Sequence, residues 1–110
     1  MNVPEVDPIE AIRLLNESGA VLLDVREDDE WAAGHAPRAI HLPLGTLDTR
    51  SFDAGVPVVA VCRSGKRSGV AASQLAAAGV TVYNLAGGML AWLESGQPVI
   101  RDDGKPATII

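Results

Sequence analysis

Short apolar runs alternate along the chain with segments of helical periodicity, and this alternation constrains the fold more than any other feature. The apolar runs, which are typical of strands buried on both faces, occupy residues 20–23, 39–42, 58–61 and 80–85. Helical patterns occupy residues 28–33, 68–78 and 88–94, and another begins at Asp7 and Pro8 and ends by Gly19. Because strands joined by helices pair in parallel, we predict an α/β fold with a mostly parallel central sheet and helices on both faces.

The same patterns predict which helical side chains face the core. Asp7 and Pro8 suit the N-cap and the first position of the first helix. The side chains expected in the core are Ile9, Ile12 and Leu15, with Ala11 and Leu14 beside them, in the first helix, Leu90, Trp92 and Leu93 in the last, and Trp31.

The length of the chain, 110 residues, is close to that of one domain, and an apolar content of 47% is enough for a core. The sequence shows no repeat, low-complexity segment or linker. We therefore predict a single domain over residues 1–110, with a core from about residue 7 to 99 and a tail from 101 to 110. Glycine and proline near the end indicate a last short strand at Val99 and Ile100, followed by a poorly ordered segment.

Charge is distributed unevenly along the chain. The net charge is -5, which argues against general binding to nucleic acid phosphates. Residues 54–93 contain no Asp or Glu but carry Arg63, Lys66 and Arg67, so this stretch has a charge of +3 and the remainder has -8. A small cationic region on an anionic protein favours a small anion as the ligand.

The single cysteine excludes an intramolecular disulfide, so the sequence gives no reason to expect an oxidising compartment. Residues 1–8 contain no basic residue and no apolar stretch, unlike a signal peptide or anchor. The apolar runs are also shorter than the roughly 18 residues that cross a bilayer. We therefore expect a cytoplasmic protein with no membrane partner.

The segment from residue 58 to 69 carries the strongest functional signal. Cys62 directly follows a buried strand, and a polar loop leads from it to a helix expected to begin near Ser68. The helix dipole and the three cations favour an ionised thiol and lower its pKa toward or below neutrality. Ser64 and Gly65 allow successive backbone N–H groups to converge on an anion. We expect a thiolate that is ionised and reachable at neutral pH; the alternative is an inert buried cysteine.

Three ordered motifs resemble those of the rhodanese homology domain, over about residues 7–99. The first comprises LLDVR at residues 22–26, EW at 30–31 and GHAPRA at 34–39. The second is the loop from Cys62 to Arg67, and the third comprises Gly79, VYNLAGG at 82–88 and Trp92. The sequence departs from the family pattern at Ala36, where a larger aliphatic residue is usual, and at Arg38, where glycine is common. Both departures lie outside the cysteine loop.

The resemblance implies a rhodanese-like fold and a sulfurtransferase that acts through a Cys62 persulfide. The donor would be thiosulfate or a persulfide, and the acceptor would be cyanide in the usual assay or a thiol such as thioredoxin or glutathione. Arg63, Lys66 and Arg67, with Ser64, Gly65 and Ser68 of the same loop, would bind the anionic donor. The resemblance implies no metal and no organic cofactor.

Two other functions remain open. Phosphatase and arsenate reductase relatives also use a cysteine-led anion loop, but their loop is one residue longer, with Arg six positions after Cys. That position is Ser68 here. A non-enzymatic persulfide relay or protein-interaction module is the second alternative, since the loop itself does not exclude it.

The remaining polar residues have expected supporting roles. Asp24 and Arg26 end a strand on the active side of the sheet and are expected to brace the loops, and His35 is expected to support the turn before Pro37. His41 falls in a predicted strand and is expected to be a partly exposed structural residue. One cysteine and two histidines do not form a metal-binding pattern, so we expect no metal site. The acids at residues 27–30 indicate a helix N-terminus.

Overall fold

The computed structural model describes residues 3–110, and strands and helices alternate along them as the sequence predicts, with one unpredicted short strand before the first helix. A helix connects each strand to the next along the chain except once, where two 3-10 turns take its place. The elements are β1 (Glu5–Val6), α1 (Pro8–Glu17), β2 (Val21–Asp24), α2 (Asp28–Ala33), β3 (Ala39–His41), β4 (Val58–Val61), α3 (Lys66–Ala77), β5 (Val82–Leu85) and α4 (Gly88–Glu94). Two 3-10 turns, Leu44–Thr46 and Thr49–Ser51, lie between β3 and β4.

The sheet has the order β1-β5-β4-β2-β3, with parallel pairing between all neighbours. β4 lies in the centre, and all four of its residues are buried. Side chains of α1 and α4 pack in one apolar cluster, and side chains of α3 pack in another together with β4 and β5. The predicted parallel sheet with helices on both faces is confirmed. In parallel register, Asp24 at the end of β2 lies beside Val61 at the end of β4, which places the carboxyl ends of these strands together.

The first helix begins as expected, and its predicted apolar face is buried or partly buried except for one residue. The carboxylate of Asp7 accepts a hydrogen bond from the backbone N–H of Glu10 at 2.8 Å, and Pro8 occupies the first turn. The prediction that Ile9 faces the core is wrong, since 64% of its surface is exposed. The core face is formed by Pro8, Ala11, Leu14 and Leu15. Ile9 lies about 100° round the helix from Pro8 and therefore points away from that face.

The last helix shows the same kind of difference. Trp92 is buried as predicted, but Leu90 and Leu93 are 38% and 47% exposed, so their assignment to the core is wrong. Met89 is buried instead, because its backbone N–H donates to the carbonyl of Cys62 at 2.8 Å and sets the rotation of the helix.

The segment after α4 is packed on the fold, in contrast to the predicted poorly ordered end. Ile100 forms an isolated antiparallel bridge with His35 in place of the predicted strand. Thr108 donates its backbone N–H to Ala33 at 2.9 Å, and Ile109 packs against the cluster formed with α1 and α4. Ile109, an apolar residue that follows the glycines and prolines of this segment, provides the packing contact. Within residues 3–110, no helix is long and apolar enough to span a membrane.

Candidate active site

Cys62 stands immediately after β4, at the start of a four-residue loop that leads into α3. α3 begins at Lys66, two residues before the predicted start. Gly65 is the N-cap with φ of 110°, a left-handed conformation that favours glycine. This turn brings the N–H groups of the loop and of the first turn of α3 back toward the cysteine.

The sulfur of Cys62 lies among hydrogen-bond donors. The backbone N–H of Gly65 is 3.1 Å from Sγ, and the hydroxyl oxygen of Ser68 is 3.4 Å from it. Burial raises the pKa of the Cys62 thiol, but hydrogen bonds from the Ser68 hydroxyl and from the backbone N–H groups of Ser68, Gly65 and Ser64 outweigh burial and bring the pKa below its ordinary value. The cradle therefore favours the thiolate, which is the nucleophilic form.

Access to this sulfur is narrow. Only 1% of the surface of Cys62 is exposed, so the sulfur that the sequence predicts to be reachable is nearly enclosed by the loop. The donors that stabilise the thiolate also enclose it. A reagent must therefore present a small reacting atom, or the loop must open.

Asn84 in β5 connects the loop to the sheet, a role that was not predicted from the sequence. Its Oδ1 accepts a hydrogen bond from the Ser68 hydroxyl at 2.6 Å. Its Nδ2 donates to the carbonyl of Gly65 at 3.0 Å and to the carboxylate of Glu5 at 3.2 Å. The only sequence signal for this role was the place of Asn84 within the VYNLAGG motif. The buried amide fixes both the loop and the hydroxyl that faces the sulfur.

The start of α4 supports the loop from the other side. A Cβ atom on Gly88 would lie 2.4 Å from the carbonyl oxygens of Cys62 and Arg63, so only glycine allows this approach. The next two residues, Met89 and Leu90, donate their backbone N–H groups to the same carbonyls at 2.8 and 3.2 Å. The conformation around Cys62 thus depends on α4 as well as on α3.

The three cations near Cys62 have different partners. Arg67 donates to both carboxylate oxygens of Glu30, at 2.6 and 2.8 Å. The hydrogen bond to Arg67 is the main reason why the pKa of Glu30 is lowered to about 2. Arg63 donates from Nε to the carbonyl of Ile110 at 3.0 Å, whereas Lys66 makes no ion pair within residues 3–110. The sequence showed that the three cations are close together along the chain but not that Glu30 pairs with Arg67.

Asp24 and Arg26 form a fully buried ion pair below the loops, as the sequence suggested. Arg26 donates to Asp24 through Nε at 2.9 Å and through a terminal nitrogen at 2.7 Å. The same terminal nitrogen donates to the carbonyl of Gly34 at 2.8 Å. The pair thereby ties the end of β2 to the turn that follows α2.

His35 and His41 pack on one indole ring near that turn. Trp31 stacks on His35 with ring centroids 3.6 Å apart and on His41 at 4.7 Å. Trp31 is half-buried and outside the core, so its predicted core position is wrong. His35 contacts the carbonyl of Ala36 at 3.0 Å and the carboxylate of Asp102 at 2.8 Å, and His41 bonds the carbonyl of Arg26.

The acidic run at residues 27–30 starts α2, as predicted. Glu27 and Glu30 form a reciprocal capping box, in which each side chain accepts from the backbone N–H of the other. In the described part of the chain, no group of three His, Cys, Asp or Glu side chains is placed to hold a metal ion.

The model of the family described as "Rhodanese-like domain" matches residues 7–95. The chain belongs to the rhodanese-like domain family. Its fold agrees with this assignment, since the rhodanese-like α/β sheet predicted from the sequence is the one observed.

Curated relatives and solved structures support the same family. A protein named "Sulfurtransferase" from Allochromatium vinosum is 36% identical over 97 residues, which is 84% of this chain and 89% of that protein. An uncharacterized protein from Synechocystis sp. is 36% identical over 101 residues and 89% of this chain, but the match spans only 56% of its length. A crystal structure described as thiosulfate sulfurtransferase from Pseudomonas aeruginosa has a TM-score of 0.77 at 26% identity, covering 98% of this chain and 22% of that one.

The rhodanese-like domain brings its three sequence motifs to one end of the sheet. LLDVR supplies the buried Asp24 and Arg26, and the loop motif supplies Cys62. VYNLAGG supplies Asn84 and Gly88, which hold the loop. The motifs therefore form one assembly around the cysteine.

Proposed function

We propose that this rhodanese-like domain is a sulfurtransferase that carries sulfane sulfur on Cys62 as a persulfide. The observation that carries the proposal is the cradle of N–H groups and one hydroxyl around Cys62 at the end of a central strand. The names of relatives in the same family support transfer of sulfur in general.

The chemistry consists of two displacements at sulfur. The Cys62 thiolate attacks the outer sulfur of thiosulfate, the S–S bond breaks, and sulfite leaves with the bonding electron pair. An acceptor thiolate or cyanide then attacks the terminal sulfur of the persulfide, and Cys62 leaves as a thiolate. A persulfide donor reacts in the same way and releases a thiolate. Electrons and atoms balance without an added oxidant, metal or organic cofactor.

The loop provides the binding groups for this chemistry. The N–H groups of Ser64, Gly65 and Ser68 stabilise the negative charge on sulfur before and after transfer. Arg63 and Lys66 provide the charge that attracts the sulfonate oxygens of the donor. Arg67 is paired with Glu30, and the smaller attraction between its charge and the Cys62 thiolate favours the ionised sulfur.

Narrow access restricts the reaction partners. Because Cys62 is nearly enclosed, the donor must present a terminal sulfur at the end of a small or slender group. Thiosulfate and glutathione persulfide meet this requirement as donors, and an exposed thiol of a thioredoxin-like protein is slender enough to act as the acceptor.

Intact mass measurement after incubation with thiosulfate tests the proposal. The protein should gain one sulfur atom, cyanide should remove it, and Cys62→Ser should gain none while remaining folded. A wild-type protein that gains no sulfur from either thiosulfate or a persulfide donor would overturn the proposal. Steady-state production of thiocyanate then distinguishes a catalyst from a stoichiometric carrier.

A further inference from the structure

The ion pair between Glu30 and Arg67 is built more firmly than a surface contact. Each carboxylate oxygen accepts from one terminal nitrogen of the guanidinium, at 2.6 and 2.8 Å. The side chain of Glu30 is only 13% exposed, and that of Arg67 is 36% exposed. Two parallel charge-assisted hydrogen bonds of this kind fix the guanidinium in one orientation.

Glu30 is held from a second side. It also accepts the backbone N–H of Glu27 at 3.0 Å, as part of the capping box of α2. The carboxylate of Glu30 is therefore held in place by α2 and cannot move together with the side chain of Arg67. Arg67 belongs to the first turn of α3, and its pKa is raised by the hydrogen bond to Glu30 and, to a smaller extent, by the charge of Cys62. The guanidinium of Arg67 is thus bound to a fixed carboxylate while its charge still interacts with the reactive sulfur.

We propose that Glu30 determines the charge preference of the Cys62 site by holding the guanidinium of Arg67 away from incoming anions. Arg63 and Lys66 then remain as the cations that meet a reagent, and the site attracts anions less strongly than its three cations suggest. The inference deepens the proposed function and rests on it: Glu30 shifts the choice of donor from dianionic thiosulfate toward neutral or singly charged persulfides.

Two alkylating reagents of similar size, iodoacetamide and iodoacetate, measure this preference directly. Both attack the same thiolate, so the ratio of their rates cancels changes in the ionised fraction of Cys62. Glu30→Gln should raise the ratio of iodoacetate to iodoacetamide rates about fivefold, the scale of one contact between unit charges that is fully screened by water. Glutamine is also accepted at this position of a capping box, so α2 keeps its start.

Asp29→Asn is the matched control, because it removes the same charge from the adjacent, exposed position. Its ratio should stay near that of the wild type. Equal ratios in Glu30→Gln and Asp29→Asn would overturn the inference. The double variant Glu30→Gln/Arg67→Gln should return to the wild-type ratio, and a gain that persists there would also overturn it.

A second measurement needs no reaction at the buried sulfur. Sulfate should raise the melting temperature of Glu30→Gln more than that of the wild type or of Asp29→Asn, since the released guanidinium binds the anion. Equal shifts in all three proteins contradict the inference. Neither measurement uses a sulfur donor, so a protein that fails to transfer sulfur would refute the proposed function and leave this test intact.

Discussion

Burial raises the pKa of the Cys62 thiol, and the hydrogen-bond donors around its sulfur together bring the pKa below its ordinary value. The sequence predicted a lowered thiol pKa from three cations and a helix dipole. In the structure, the hydroxyl of Ser68 and the backbone amides of the loop also lower this pKa. Arg67 forms an ion pair with Glu30, which offsets much of its positive charge. The sequence could not show the bond between Ser68 and Asn84, because these residues lie 16 positions apart and meet only through the sheet.

Ser68→Ala tests how much the hydroxyl contributes. The single hydroxyl proton can be given to Asn84 at 2.6 Å or to the sulfur at 3.4 Å, and a thiolate competes for it as a charged acceptor. Loss of that bond should raise the pKa of Cys62 and slow alkylation at neutral pH roughly tenfold, the worth of one hydrogen bond to a charged group. Ser64→Ala is the control, since Ser64 stabilises the sulfur through its backbone N–H, which this variant keeps. An unchanged rate in Ser68→Ala would show that the proton stays with Asn84.

The buried pair of Asp24 and Arg26 should matter for stability more than any exposed ion pair. Both side chains are 0% exposed, so Asp24→Asn leaves a buried guanidinium without its counterion. The free energy of unfolding should fall by about 3–5 kcal/mol in chemical denaturation. Asp48→Asn removes an exposed partner of Arg50 and should cost less than about 1 kcal/mol. Similar costs for the two variants would contradict the bracing role of the pair.

Among the elements, α4 was predicted in extent but not in orientation. Helical periodicity located residues 88–94, which are the residues observed. It could not indicate that the N-terminus of the helix packs under the cysteine loop and turns Leu90 and Leu93 toward solvent. Seven residues give fewer than two full turns, so tertiary contacts decide which side is buried.

Gly88→Ala should disrupt the site through this contact. The added Cβ would meet two carbonyl oxygens at 2.4 Å, and φ of 59° is unfavourable for alanine. We expect a loss of roughly 4 kcal/mol or more in the free energy of unfolding, in the range caused by severe steric conflict. Gly96→Ala has a similar positive φ and no atoms within 4 Å, so it should cost only about 1–2 kcal/mol. Equal losses in thermal or chemical denaturation would show that strain alone, without the loop contact, sets the cost.

At the scale of the whole molecule, the position of the site follows from the parallel sheet. The alternation of runs predicted the sheet and placed Cys62 at the carboxyl end of a strand, as observed. Periodicity does not specify which strands are neighbours, so it could not predict that β5 borders β4 and brings Asn84 beneath the loop. The packing of the segment after α4 was not predicted, because its glycines and prolines indicate a poorly ordered end. The sequence does not show that Ile109 contacts the apolar cluster.

The thiolate of Cys62 is the state on which sulfur transfer depends, and its ultraviolet absorbance can be titrated directly. The chain has one cysteine, so the difference between the wild type and Cys62→Ser isolates that thiolate from the ionisation of Tyr83. We expect a transition with its midpoint below the pKa of an ordinary cysteine, which is about 8.5. A midpoint at or above that of free cysteine would contradict the central claim that the loop holds Cys62 as a nucleophile.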